Sequence, residues 1–175
     1  MKKIKILILG AGNVASEHLK VLKKEKNFEE IGLISRTEKK VKNLCTKFNI
    51  PVVTNDILKF IKNSKPDGIM ILVSADQIYK TAKRVMKFKI PLFLEKPPGL
   101  SIKEVKNLTR LSKKFKTPNI VGFNRRYYSS FEKGLNLIKK NGKLLTIMIE
   151  GHERMWTFNK KIKKNIKKKW LYANC

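Results

Sequence analysis

The sequence contains few acidic residues, few cysteines and no long apolar segment. Its two cysteines, Cys45 and Cys175, are not in a C-x-x-C or metal-ligand spacing, which excludes a disulfide framework and a cysteine-based metal or redox site. No segment approaches the roughly 18 apolar residues that a membrane-spanning helix needs. Residues 1–9 are similar to the start of a signal peptide, but Lys5 interrupts the apolar stretch. We therefore expect a soluble, cytoplasmic protein without a metal site.

Acidic residues are scarce relative to basic ones: 13 Asp and Glu stand against 41 Lys and Arg, for a formal net charge of +28. Such an excess suggests a nucleic-acid or other polyanionic partner. The lysines, however, are spread from Lys2 to Lys169, without the interleaved aromatic residues that single-strand binders use for base stacking. We therefore interpret most of the charge as solvated helix faces and disfavour a nucleic-acid partner. A basic nucleic-acid-associated protein is kept as an alternative, with residues 160–169 as its candidate surface.

Short segments rich in Ile, Val and Leu alternate with longer charged segments of helical period. This alternation is typical of a parallel sheet covered by crossover helices, so the sequence predicts a doubly wound α/β domain, the Rossmann fold, over residues 1–122. The predicted strands are Lys5–Leu9, Glu30–Ser35, Val52–Thr54, Gly68–Val73, Pro91–Glu95 and Asn119–Gly122. The predicted helices are Val14–Lys24, Glu38–Phe48, Asp56–Asn63, Gln77–Phe88 and Ser101–Phe115, the last with Ser101 and Glu104 in a capping-box pattern.

The pattern changes after Gly122. A helix is predicted over Ser129–Asn141 and a strand over Leu144–Glu150, and a lysine-rich segment follows. We expect residues 123–175 to be a crossover helix and the truncated start of a second, α+β domain. The opening strand would then have unpaired edges and an exposed apolar face.

The first predicted strand is followed by Gly10-Ala11-Gly12-Asn13-Val14-Ala15, which fits G-x-G-x-x-G/A and opens a helix. In dinucleotide-binding domains the first glycine allows a tight turn, the second lets backbone N–H groups approach a pyrophosphate, and the last small residue allows close helix–strand packing. Because the motif lies between a strand and a helix at the start of the series, we predict a dinucleotide site at Gly10–Val14. The alternative is a turn that serves only the fold.

The end of the second predicted strand carries Ser35, Arg36 and Thr37, where NAD-specific domains usually place an Asp or Glu on the ribose 2′-hydroxyl. A guanidinium beside two hydroxyls suits a 2′-phosphate, so the sequence favours NADP over NAD. The alternative is an exposed loop arginine in a lysine-rich protein.

A carboxylate and an ammonium follow the fifth predicted strand, in Glu95-Lys96-Pro97-Pro98. Open α/β sheets bind ligands at this carboxyl edge. A partly desolvated lysine near a nicotinamide would exchange a proton with a substrate hydroxyl. Taken alone, a Glu-Lys pair before two prolines is also compatible with a surface turn.

Three motifs, in this order and spacing, resemble the Gfo/Idh/MocA oxidoreductase family: Gly10–Ala15, Glu95-Lys96-Pro97, and Val121-Gly122-Phe123-Asn124-Arg125-Arg126-Tyr127. The resemblance covers about residues 3–150. It implies an N-terminal Rossmann domain joined to a C-terminal α+β domain with a large sheet. It also implies oxidation or reduction of sugars, polyols and related carbonyl compounds with NAD(P).

The resemblance further implies roles for single residues. Lys96 would be the catalytic lysine that contacts the substrate hydroxyl and the nicotinamide ribose, with Glu95 beside it and a cis or trans bond before Pro97. The cofactor-lining positions correspond to Val73, Ser74, Asn124 and Arg125. An ion pair without a phosphate, or a solvated loop, is the alternative for Arg125 and Arg126.

Family members generally continue beyond this length and take a second catalytic group, commonly a His near an Asp, from the later part. His18 and His152 are not placed to substitute, and we interpret them as a helix-surface and a loop or strand-end residue. The sequence thus predicts an oxidoreductase lineage whose present chain binds NADP or NAD with little or no turnover. The alternative is a non-catalytic dinucleotide-binding or partner-binding module. A homo-oligomer is expected only with a complete C-terminal domain.

Overall fold

The computed structural model describes residues 2–51, 56–148 and 150 of the 175-residue chain. These residues form two compact units, with the boundary between Gly122 and Phe123. Among the described residues, no helix is both long enough and apolar enough to cross a membrane.

A five-stranded sheet forms the centre of the first unit. Its strands are β1 (Ile4–Leu9), β2 (Phe28–Ile34), β3 (Gly68–Ile71), β4 (Leu92–Leu94) and β5 (Asn119–Val121), in the spatial order β2-β1-β3-β4-β5. All neighbouring strands are parallel. The chain leaves β1 toward β2 on one side and returns to β3 on the other, so the strand order reverses between β1 and β3. In open α/β sheets, ligands bind at such a switch point.

Helices fill the crossovers between the strands. They are α1 (Asn13–Leu22), α2 (Glu38–Phe48), α3 (Ile57–Ser64), α4 (Ala75–Val85), continued by a 3-10 turn at Met86–Phe88, and α5 (Ile102–Phe115). The predicted cap at Ser101 is present, since its side chain accepts from Glu104 N at 3.2 Å. The Glu104 carboxylate in turn accepts from Leu100 N at 2.7 Å, so both side chains satisfy N–H groups at the start of α5.

Strand β1 is buried on both faces because its side chains alternate between two apolar clusters. Leu7 and Leu9 join a cluster with α4 and α5, whereas Ile6 and Ile8 join a cluster with α1 and α2. Successive residues of a strand point to opposite faces, so helices cover the sheet on both sides. The predicted doubly wound α/β fold is confirmed.

The second unit contains a 3-10 turn at Asn124–Tyr127 and the helix α6 (Ser129–Asn141), which has the predicted bounds. The predicted strand over Leu144–Glu150 is wrong for the described residues, because residues 142–148 and 150 form no strand. A strand requires backbone hydrogen bonds to a neighbouring strand, and an apolar pattern alone does not supply that neighbour. The predicted strand Val52–Thr54, His152 and residues 160–169 lie outside the described residues.

Candidate functional site

The carboxyl ends of the strands are aligned at one edge of the sheet, which we call the strand-end edge. Here the first residue after a strand donates its backbone N–H to the last residue of a neighbouring strand. The bonds are Gly10 N to Ile34 O (2.8 Å), Leu72 N to Leu9 O (2.7 Å), Glu95 N to Ile71 O (3.0 Å) and Gly122 N to Leu94 O (2.8 Å). The glycine turn, the β3–α4 turn and the Glu95-Lys96 turn therefore begin side by side.

Gly10 occupies a position that only glycine fits. Its φ is +123°, and a Cβ there would stand 2.3 Å from the Leu72 carbonyl oxygen and 2.9 Å from Val73 N. A side chain would therefore clash with the neighbouring backbone as well as strain the turn. This close approach brings the glycine turn against Val73, a predicted cofactor-lining residue.

The start of α1 is open to solvent. Gly12 is its N-cap, and a Cβ on Gly12 would have no atom within 4 Å. Within the described residues no side chain caps this helix end, and its first turn has no acidic residue. Backbone N–H groups that lack a partner at a helix start bind anions. Because Asn13 and Val14 are exposed and Ala15 is fully buried, the residues present fit a bound pyrophosphate.

Ser35, Arg36 and Thr37 follow β2 at the same edge, directly after the residue that accepts from Gly10 N. Arg36 and Thr37 are exposed, and Ser35 is half-buried. The positive charge of Arg36 acts on Asp76 in the first turn of α4, so the arginine lies near the β3–α4 turn.

The Asp76 carboxyl is held in its ionised form by its surroundings. Burial alone would raise its pKa, but hydrogen bonds from the Gln77 and Ser74 side chains and the Asp76 backbone, together with the charge of Arg36, outweigh burial and lower the pKa below its usual value. The Gln77 Nε2 bond to Asp76 Oδ2 measures 2.7 Å. Ser74, a predicted cofactor-lining residue, is thus part of a polar cluster beside Arg36.

Glu95 and Lys96 follow β4 and are both half-buried. Glu95 Oε2 accepts from Lys96 N at 3.1 Å, which closes a short ring in the turn. The Lys96–Pro97 peptide bond is cis. Glu95 and Lys96, the predicted carboxylate and ammonium residues, therefore lie in one turn at the strand-end edge, and a hydrogen bond between them closes this turn.

The structure corrects the interpretation of His18 as a helix-surface residue. Its Nε2 lies 3.3 Å from Glu95 Oε1, and its ring packs edge-to-face on Phe93 with centroids 5.1 Å apart. The two side chains of the pair keep 30% and 18% of their exposure. His18 comes three positions after the fully buried Ala15, and this helical spacing was the signal that it lies beside the face of α1 that packs on the sheet.

Asn124 and Arg125 belong to the second unit, where they begin an exposed 3-10 turn. The neighbouring Arg126 guanidinium lies over the Phe123 ring, 5.7 Å from its centroid. The role of Asn124 and Arg125 in cofactor binding stays a prediction.

The family model GFO_IDH_MocA, described as an oxidoreductase family with an NAD-binding Rossmann fold, matches residues 4–123. The chain belongs to the Gfo/Idh/MocA oxidoreductase family. The resemblance found from the three sequence motifs is thereby confirmed. As a member of an NAD-binding family, the chain carries a fold for a nicotinamide dinucleotide.

Individual relatives of this Gfo/Idh/MocA chain are distant and longer. The uncharacterized oxidoreductase YrbE of Bacillus subtilis is 24% identical over 145 residues, which are 83% of this chain and 42% of the relative. A solved Gfo/Idh/MocA family oxidoreductase from Vibrio cholerae is 27% identical, with a TM-score of 0.69 over 79% of this chain and 44% of its own. The myo-inositol 2-dehydrogenase from Lactobacillus plantarum is 18% identical, with a TM-score of 0.72 over 79% of this chain and 42% of its own. The chain thus spans under half the length of these proteins.

Proposed function

We propose that this chain binds a nicotinamide dinucleotide at the strand-end edge and belongs to an oxidoreductase lineage that transfers hydride between this cofactor and a sugar- or polyol-like substrate, with little or no turnover by this chain itself. The observation that carries the proposal is the glycine turn, in which Gly10 packs against the Leu72 backbone and opens a helix start with free space at Gly12. Membership of an NAD-binding oxidoreductase family supports the cofactor. The similarity in fold to the myo-inositol 2-dehydrogenase from Lactobacillus plantarum supports the substrate class.

Gly10 forms the turn, with its own N–H bonded to Ile34 O, so the pyrophosphate would be held by the backbone N–H groups of Ala11–Val14, which lie at the positive end of the α1 dipole. The adenosine end would extend toward β2. There Arg36, with the hydroxyls of Ser35 and Thr37, would bind a 2′-phosphate through charge-assisted hydrogen bonds. This is our reason for proposing NADP as the preferred cofactor. The Asp76 carboxylate also interacts with the charge of Arg36 and competes with a 2′-phosphate for it, so we propose that the preference for NADP over NAD is moderate.

The other end of the cofactor would extend past Val73 and Ser74 toward Lys96. A bound nicotinamide dinucleotide supplies the hydride donor or acceptor. The Lys96 side chain would hydrogen-bond the substrate hydroxyl: its neutral amine would take the hydroxyl proton during oxidation, and its ammonium would return the proton during reduction, which is general acid–base catalysis. Its half-buried position reduces competition from water, and Glu95, whose Oε2 accepts from Lys96 N, holds the turn that carries the lysine.

A fluorescence titration with NADPH tests the cofactor proposal, using Gly12→Ala and the matched control Gly134→Ala. Neither added methyl would meet an atom within 4 Å, so both variants are expected to fold. In Gly12→Ala the methyl would fill the space proposed for the pyrophosphate and lower the affinity for NADPH about tenfold, or ~1.4 kcal/mol. Gly134→Ala, in α6, should bind like the wild type. Equal affinity of all three proteins would overturn the proposed site.

A further inference from the structure

The helix that begins at the proposed phosphate site also contacts the proposed catalytic turn. His18 lies five positions after Asn13, about 7.5 Å further along α1 at 1.5 Å per residue. From there its Nε2 reaches Glu95 Oε1 at 3.3 Å, a contact between residues 77 positions apart in the chain. One rigid helix therefore joins Gly12 to the residue that precedes Lys96.

Both oxygens of the Glu95 carboxylate have partners. His18 takes Oε1, and Lys96 N donates to Oε2 at 3.1 Å. Gly122, the residue after β5, also packs closely here, since a Cβ on it would stand 3.3 Å from Glu95 Oε1 and 2.8 Å from Phe93 Cζ. The carboxylate is thus bonded from α1 and from its own turn, with the backbone of Gly122 packed beside it.

The contact with Glu95 determines which nitrogen of the His18 imidazole carries the proton. An ionised carboxylate has only acceptors, so the hydrogen bond requires that Nε2 of His18 carries hydrogen. The edge-to-face contact with Phe93, at an interplanar angle of 70°, fixes the plane of the ring. Ring packing and hydrogen bonding thus both direct Nε2 at Glu95, and the two contributions can be separated by substitution.

We propose that His18 is a positioning residue: through Glu95 it fixes the backbone of Lys96 relative to the start of α1. This inference rests on the proposed function, because it sets where the ammonium of Lys96 stands relative to a cofactor bound at Gly12. Contacts to the residue beside a reactive group hold that group in place, and loosening them misplaces the group without removing it.

Two substitutions separate the hydrogen bond from the packing. His18→Gln keeps an N–H donor at the reach of Nε2 and loses the ring, whereas His18→Phe keeps a ring on Phe93 and loses the donor. The control is Glu17→Gln on the same helix, whose partner is Lys20 at 2.7 Å on the exposed side. A positioning role predicts that only His18→Phe loosens the Lys96 turn, and a packing role predicts that His18→Gln is the more damaging change.

Amide hydrogen exchange in the free chain, followed by NMR, measures the effect directly at Lys96 N–H. We expect about fivefold faster exchange in His18→Phe, the equivalent of one lost hydrogen bond, and rates within about twofold of wild type in the other two proteins. The Leu72 amide, bonded to Leu9 O at 2.7 Å, reports global stability in every variant. Any of three results would overturn the proposal. The Lys96 amide could exchange at the wild-type rate in His18→Phe, it could exchange equally fast in His18→Phe and His18→Gln, or its rate could rise only in parallel with that of the Leu72 amide.

Adding NADPH to the same samples links the contact to the proposed function. The Lys96 amide signal should shift on binding in wild type and His18→Gln, and the shift should be reduced by at least about half in His18→Phe. The same shift in His18→Phe as in wild type would contradict the positioning role. Absence of NADPH binding in wild type would instead refute the proposed function, while the exchange rates in the free chain would still decide whether His18 holds the turn.

Discussion

Gly10 and Leu72 approach so closely that a Cβ on Gly10 would stand 2.3 Å from the Leu72 carbonyl oxygen. The contact joins the first turn of the sheet to the residue after β3, at the point where the strand order reverses. It brings the glycine turn against the β3–α4 turn at this switch point, where open α/β sheets bind their ligands.

The Gly10→Ala substitution should destabilise the fold far more than Gly142→Ala. Both glycines have nearly the same positive φ, +123° and +124°, but a Cβ on Gly142 would have no atom within 4 Å. The control therefore measures backbone strain alone, about 1 kcal/mol, whereas the clash at Gly10 should raise the loss to about 3 kcal/mol or more. Urea unfolding measures both values, and equal losses would show that close packing at Leu72 is unimportant.

Replacing Arg36 with Ala should lower affinity for NADPH about tenfold and leave affinity for NADH within about twofold, because charge-assisted bonds to the 2′-phosphate are lost. Lys39→Ala, at an exposed position on α2, is the matched loss of charge. Parallel titrations with NADPH and NADH give the ratio of the two affinities for each protein. If Lys39→Ala changes the ratio as much as Arg36→Ala, general positive charge sets the preference and Arg36 does not.

Lys96→Met should keep cofactor binding and remove any hydride transfer, since methionine keeps most of the length of the side chain but has no proton to exchange. We expect that whatever slow reduction of NADP the wild-type chain shows on a panel of polyols is lost in Lys96→Met, with NADPH affinity within about threefold of wild type. Lys103→Met, at an exposed position on α5, is the control. Transfer at the control's rate by Lys96→Met would exclude the lysine as the proton-transferring group.

The lowered pKa of Asp76 predicts an acid-dependent contribution to stability. Because the folded-state pKa lies below the unfolded value of about 3.9, the ionised carboxylate stabilises the fold above that pH, and the contribution is lost as the pH falls through the folded-state pKa. Asp76→Asn should therefore be less stable than wild type near pH 6, and the difference should narrow as the pH falls below about 3.9. Urea unfolding across this range measures the difference, and a gap that stays constant with pH would contradict the assignment.

The parts of the molecule that depend on local sequence were predictable. The glycine turn, the alternation of apolar and charged segments, and the Ser101 cap are determined by residues close together in the chain, and the fold places them as expected. The family resemblance added the order of motifs along the strand-end edge.

Two features depend on distant partners and were not predictable in the same way. His18 contacts Glu95, 77 positions away in the chain, and the sequence of the helix does not identify that partner. The apolar residues at 144–148 are compatible with a strand, but strand formation needs a neighbour's backbone, which the sequence of the segment does not contain. In both cases the missing information is the identity of the contact.

Calorimetric titration of the full chain with NADPH, at low and moderate salt and with tripolyphosphate as competitor, tests the central claim most directly. The net charge of +28 attracts any polyanion, so the salt series and the competitor separate general attraction from a built site. The account predicts saturable one-to-one binding of NADPH that persists at moderate salt and is weakly affected by tripolyphosphate. Absence of saturable binding, or full displacement of NADPH by tripolyphosphate at equal concentration, would contradict it.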